Sequence, residues 1–145
     1  MTLVVDATEM TTSEWELMRI IWTIGQASSS EVITLIRSKK NWTESTVKTL
    51  LRRLVRKNAL KTAKDGRRFI YSPNITENDA MDQMSAEMFS RMCNMKKGKE
   101  LTKLISETTL SKADIQTMRA VLNDKMQTAP DQVECNCLPG KGSCC

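Results

Sequence analysis

Three amphipathic helical patterns followed by a short basic hairpin predict a mainly α chain whose first half is a winged helix-turn-helix with a small β-hairpin wing. A methionine-rich helical stretch and a cysteine-rich tail follow it. Two observations support that order. The excess positive charge is confined to the first half, and four of the five cysteines stand in the last eleven residues.

The first helix is predicted to start near Thr12, where Ser13 and Glu16 have capping-box spacing. Trp15, Leu17, Met18, Ile20, Ile21, Trp22 and Ile24 make it apolar around much of its girth, and Gly25 is a stop signal. Ser28 and Glu31 repeat the capping spacing ahead of Val32, Ile33, Leu35 and Ile36. Thr43 is a good N-cap for the third helix. In it Val47, Leu50, Leu51, Leu54 and Val55 fall on one face, and Ser45, Lys48, Thr49, Arg52, Arg53 and Arg56 on the other. Asp65-Gly66 between two strand-like runs marks the hairpin, and Pro73 closes it. Thr76 then caps a helix reaching Met92, a second segment carries Leu101, Leu104 and Ile105, and Ser111 with Asp114 opens a last helix. The expected domains are 1–75, a winged helix; 76–126, a helical dimerisation region; and 127–145, a flexible tail.

The chain has 145 residues and a net charge of +5. Residues 1–75 hold 13 Lys/Arg against 7 Asp/Glu, whereas the remainder holds 9 against 10. One-sided basic charge fits either a solvated surface or a polyanionic partner whose phosphates release counterions. The helix order, the hairpin and the charged face of the third helix favour double-stranded DNA. A helix-turn-helix sets its second helix in the major groove, N-terminal residues first. That end offers Ser45, Thr46, Lys48 and Thr49 to base edges, while Arg52 and Arg53 lie further along, at phosphate distance. Lys64, Arg67 and Arg68 of the wing are expected at backbone or minor groove. No nucleophile–base constellation suggests an enzyme, and histidine is absent. No apolar run approaches the ~20 residues of a membrane span. The first ten residues carry Asp6 and Glu9 and no basic residue, unlike a secretory signal, so a cytoplasmic location is expected. Seven of the ten methionines lie between 81 and 126, on small amphipathic helices that bury themselves poorly alone. A homodimer is expected, with folding back onto the first domain as the alternative.

Cys135 and Cys137 place two thiols on one side of an extended chain, and Cys144 and Cys145 supply two more after a flexible loop. Four thiolates suit tetrahedral Zn(II), and soft sulfur also suits Cu(I). The Cys-x-Cys spacing differs from the Cys-x-x-Cys of common structural zinc sites. The alternative is a redox-labile tail or a disulfide pair. Cys93, beside Met92, reads as buried helix filler.

Several stretches resemble the CopY-type copper-responsive repressors, within the group that includes the penicillinase repressors BlaI and MecI. They are Thr12 to Arg19, Thr46 to Leu54, Arg68 to Ser72, Phe89 to Asn94, and Cys135-Asn136-Cys137. The resemblance spans nearly the whole chain, and the cysteine tail is what sets the copper sensors apart within the group. It implies a dimer on a palindromic operator of copper-homeostasis genes, Zn(II) in the tail of the DNA-binding form, and Cu(I) as the inducer that displaces it. A copper chaperone delivering Cu(I) is an implied further partner. The tail departs from the family pattern of two Cys-x-Cys pairs four residues apart. Here the second pair is adjacent and the spacer is six residues, so both terminal thiols ligate only if the chain end bends, which Gly140 and Gly142 allow. Two alternatives accompany this reading: a BlaI/MecI-type repressor inactivated by proteolysis, and a metal-storage or delivery protein.

Overall fold

The computed structural model describes residues 5–140. The chain divides into two units, Met1–Glu87 and Met88–Cys145.

The first unit opens with a single 3-10 turn, Ala7–Glu9, capped by Asp6, which the sequence pattern does not announce. Helix α1 (Thr12–Ile24) is capped two residues earlier than its spacing suggests. The box is Thr11 with Glu14, and both of its reciprocal hydrogen bonds are present. Ser13–Glu16 has the same i,i+3 pattern, but the helix phase that buries Leu17, Met18 and Ile21 selects Thr11. Gly25 ends α1 at φ +90°, a conformation that favours glycine. Ser28 caps α2 (Ser29–Ile36) and Thr43 caps α3 (Glu44–Arg56), each accepting from the N–H three residues on.

Helix α3 ends in a Schellman motif. Asn58 sits at φ +64°, the Ala59 N–H donates to Leu54 O at 3.0 Å, and the Asn58 N–H donates to Val55 O at 3.0 Å. This reversal delivers the chain into β2 (Leu60–Asp65), which pairs antiparallel with β3 (Arg68–Pro73) from Leu60↔Pro73 to Asp65↔Arg68. The two loop residues are therefore Gly66 and Arg67. Gly66, at φ +65°, takes the first of them, where a type II′ turn needs a positive φ. A third strand, β1 (Ala27–Ser28), pairs with the far edge of β3 and gives the order β1-β3-β2. At two residues it is too short to leave a period-two signal.

The core is built from α1, α2 and α3: Leu17, Met18, Ile21, Val32, Ile36, Val47, Leu51 and Leu54 are all 0% exposed. Trp15 and Trp22 pack against it and edge to face with each other, and the Trp22 indole N–H donates to Ile75 O at 2.8 Å. Two polar ties complete the unit. Gln83 of α4 (Glu77–Ser90) clamps the N-terminal backbone, accepting from the Ala7 N–H at 2.7 Å and donating to Val5 O at 2.9 Å. Glu14, 0% exposed, meets Lys57 Nζ at 2.8 Å, and the same ammonium donates to Glu9 O. Three helices with a hairpin wing against them form the winged helix that the sequence predicts.

Helix α4 starts after Thr76, whose hydroxyl accepts from the Asp79 N–H at 3.1 Å, and stops at Ser90, short of Met92. In the second unit, α5 (Asn94–Glu107) and α6 (Lys112–Met126) follow. Ser111 and Asp114 form the capping box of α6, and the Ser111 hydroxyl holds the Asp114 carboxyl below its usual range. Neither α5 nor α6 has a buried residue. Met95, Leu101, Leu104, Ile105, Ile115, Val121 and Leu122 are all exposed. No described helix is long and apolar enough to cross a membrane.

Candidate functional site

Two groups of residues carry chemistry, one in each unit. In the first unit, burying Val47, Leu50, Leu51 and Leu54 turns the polar face of α3 outward. Ser45, Thr46, Lys48, Arg52 and Arg53 are exposed, and Thr49 is half-buried. Thr46 shares its hydroxyl with Thr43 at 2.9 Å, which fixes its direction. On the wing, Lys64, Arg67 and Arg68 are exposed.

The positive charge of this surface is partly engaged. Lys48 meets Glu44 at 2.8 Å one turn earlier, and that hydrogen bond holds the Glu44 carboxyl below its usual range. Arg68 lies 3.4 Å from Asp65 and 3.8 Å from Glu31. Among the described residues, Arg52, Arg53, Lys64 and Arg67 form no ion pair. Lys57, adjacent in sequence to this basic run, belongs to the core pair with Glu14.

Between α3 and the sheet lies an open cleft of about 380 Å³, lined by Lys48, Arg52, Val55, Thr62, Phe69 and Tyr71 and reaching Ser29. Phe69 is 52% exposed. An exposed aromatic on a basic wing is a surface feature that charge counting passes over.

In the second unit the tail returns to the start of α5. The Sγ atoms of Cys93, Cys135 and Cys137 all lie within 4.8 Å of one another. Cys93 is therefore not the buried filler its sequence position suggests. It is half-buried at the N-cap of α5, because α4 stops before it. Cys144 and Cys145 lie outside the described residues. The cluster is all sulfur and could hold a soft metal ion. Cys135 is disulfide-bonded in this structure, and the reduced thiolate is the form that ligates.

Comparison with known proteins identifies the family. Residues 10–124 match the family profile described as penicillinase repressor. An uncharacterized 16.5 kDa protein from the ptsI 3′ region of Latilactobacillus sakei is 48% identical over 94% of this chain and 93% of its own. The penicillinase repressor of Bacillus licheniformis is 29% identical over 80% of this chain and 91% of its own. A structure of the CopR repressor is 42% identical, covering 46% of this chain and 97% of its own with a TM-score of 0.41. The family match ends at residue 124, before the tail begins. With the winged helix, its basic third helix and this match together, the chain belongs to the penicillinase repressor family, the BlaI/MecI/CopY group of DNA-binding transcriptional repressors.

Proposed function

We propose that this repressor is copper-responsive. The single observation that carries the reading is the cluster of Cys93, Cys135 and Cys137 sulfurs, which becomes a set of thiols once the Cys135 disulfide is reduced. Soft thiolates select Cu(I) and Zn(II) over harder ions. Four thiolates satisfy the tetrahedral preference of Zn(II), whereas Cu(I) is content with fewer sulfurs. Cys135, Cys137, Cys144 and Cys145 are the proposed tail ligands, in a cytoplasmic protein where the Cys135 disulfide is reduced. When they exchange Zn(II) for Cu(I) delivered by a copper chaperone, fewer sulfurs are needed and the tail rearranges. That change alters DNA binding only to the extent that the two states differ in metal affinity.

The output lies on α3 and the wing. Ser45, Thr46, Lys48 and Thr49 face base edges in the major groove, Arg52 and Arg53 reach phosphates, and Lys64, Arg67 and Arg68 follow the backbone from the wing. The exposed apolar residues of α5 and α6 pack against a second copy, which gives two half-sites a two-fold relation. Sedimentation at micromolar concentration should find a dimer, and a monomer would contradict this assembly.

Two outcomes check the reading. Replacing Arg52 or Arg53 with alanine should weaken binding to all sequences alike and reduce the salt slope by ~1 each. An unchanged slope removes them from the phosphate contacts. In gel shifts with a copper-gene operator, Zn(II) should preserve the complex and Cu(I) should dissolve it. A complex indifferent to copper leaves a repressor of the BlaI/MecI type, controlled by proteolysis, as the better description.

A further inference from the structure

The tail is anchored to α5 by more than sulfur. Cys93 occupies the N-cap of α5 with extended ψ, and its side chain makes no capping bond to the helix backbone. Its Sγ instead lies 3.8 Å from Cys135 Sγ, and Cys137 Sγ completes a group within 4.8 Å. Two thiolates on adjacent corners of a tetrahedron with a metal–sulfur distance of about 2.3 Å stand about 3.8 Å apart. The Cys93–Cys135 spacing is compatible with that edge once the Cys135 disulfide is reduced.

A second contact is independent of sulfur. Asn136, between the two tail cysteines, accepts through Oδ1 from the Asn94 N–H at 2.9 Å. Asn94 is the first residue of α5, and its N–H is one of the donors a helix leaves without an internal partner. Lys97 holds the Asn94 side chain, donating to Oδ1 at 2.7 Å. Cys93-Asn94 therefore docks in register against Cys135-Asn136-Cys137. The start of a helix also favours anionic groups, which suits a set of thiolates.

We propose that Cys93 is a ligand of the tail's metal site, so that the bound ion fastens the tail to the first turn of α5. The inference rests on the reading of the tail as a soft-metal site. It changes the count of sulfurs. Cys93, Cys135 and Cys137 supply three of the four sulfurs that a tetrahedral ion takes. It also gives the metal a mechanical connection, because the helix it holds carries exposed Leu101, Leu104 and Ile105.

The test uses the reduced full-length chain. In chelator competition, Cys93→Ser should weaken Zn(II) binding by at least ~10-fold, the lower end of the loss seen even for outer-shell partners of ligands. Cys135→Ser should do the same. In the unaltered chain, Zn(II) should protect Cys93 from alkylation, read by mass spectrometry against the metal-free protein. That protection should vanish in Cys135→Ser. If Cys135→Ser loses Zn(II) while Cys93→Ser does not, and Cys93 is alkylated equally with and without metal, the proposal fails and the tail site stands. If neither variant changes Zn(II) affinity and no thiol is protected, the tail reading and the proposal fall together.

Discussion

Lys57→Ala will destabilise the N-terminal unit by about 3 kcal/mol, near the lower end of the cost of stripping a buried carboxylate of its partner. The Glu14 side chain is 1% exposed and Lys57 27%, so water reaches the pair from the lysine side and softens the loss. The carboxylate would keep only the Thr11 N–H, at 3.4 Å, after losing two ammonium contacts at 2.8 and 3.0 Å. In a domain of this size the melting temperature should fall by at least ~10 °C. The pair joins the first turn of α1 to the C-cap of α3, so the substitution loosens the placement of α3 itself. The double change Glu14→Gln with Lys57→Met removes both charges and keeps an acceptor for Thr11, so it should recover most of the loss. A single-variant loss under 1 kcal/mol, or a double variant no better than the single, would show that the pair contributes little.

Replacing Cys135 and Cys137 together with serine will abolish the copper response and leave operator binding in the absence of copper intact. The substitutions lie beyond the family match and in a different unit from α3 and the wing, so they remove no proposed DNA contact. Serine is a poor ligand for a soft ion. In the unaltered chain, Cu(I) should weaken operator binding by at least ~10-fold, a coupling of about 1.4 kcal/mol, within the usual range for linked sites. In the double variant the ratio should fall to one. A variant that still releases DNA on copper addition places the sensor elsewhere.

Much of the fold is legible in the sequence because its signals are local. Ser28, Thr43 and Ser111 cap the helices their spacing assigns to them, and Gly25 and Gly66 stand where positive φ is required. The cap of α1 was misplaced at Ser13 because Thr11–Glu14 and Ser13–Glu16 share one pattern, and only packing of the helix against its neighbours separates them. The departures are tertiary. Glu14 and Lys57 are 43 residues apart, and nothing in either neighbourhood announces the pair. The Gln83 clamp on Val5 and Ala7 is likewise invisible until α4 is placed. Cys93 was read as filler because it stands beside Met92 in a stretch taken for helix. Its placement depends on α4 ending at Ser90, which leaves it at the N-cap position of α5. The exposed polar face of α3 and the pairing of Cys135 with Cys137 were legible in the sequence, while the exposure of Phe69 was not, since an aromatic in a strand more often reads as core.

The central claim is that DNA binding at α3 and metal binding in the tail are one linked equilibrium. Linkage requires reciprocity: if Cu(I) weakens operator binding by some factor, operator DNA must weaken Cu(I) binding by the same factor. The measurement is the Cu(I) affinity of the reduced full chain, by competition with a calibrated chelator, alone and with saturating operator. The account predicts a loss of at least ~10-fold with operator present, equal to the loss in operator affinity caused by copper. Equal Cu(I) affinities in the two conditions would contradict it.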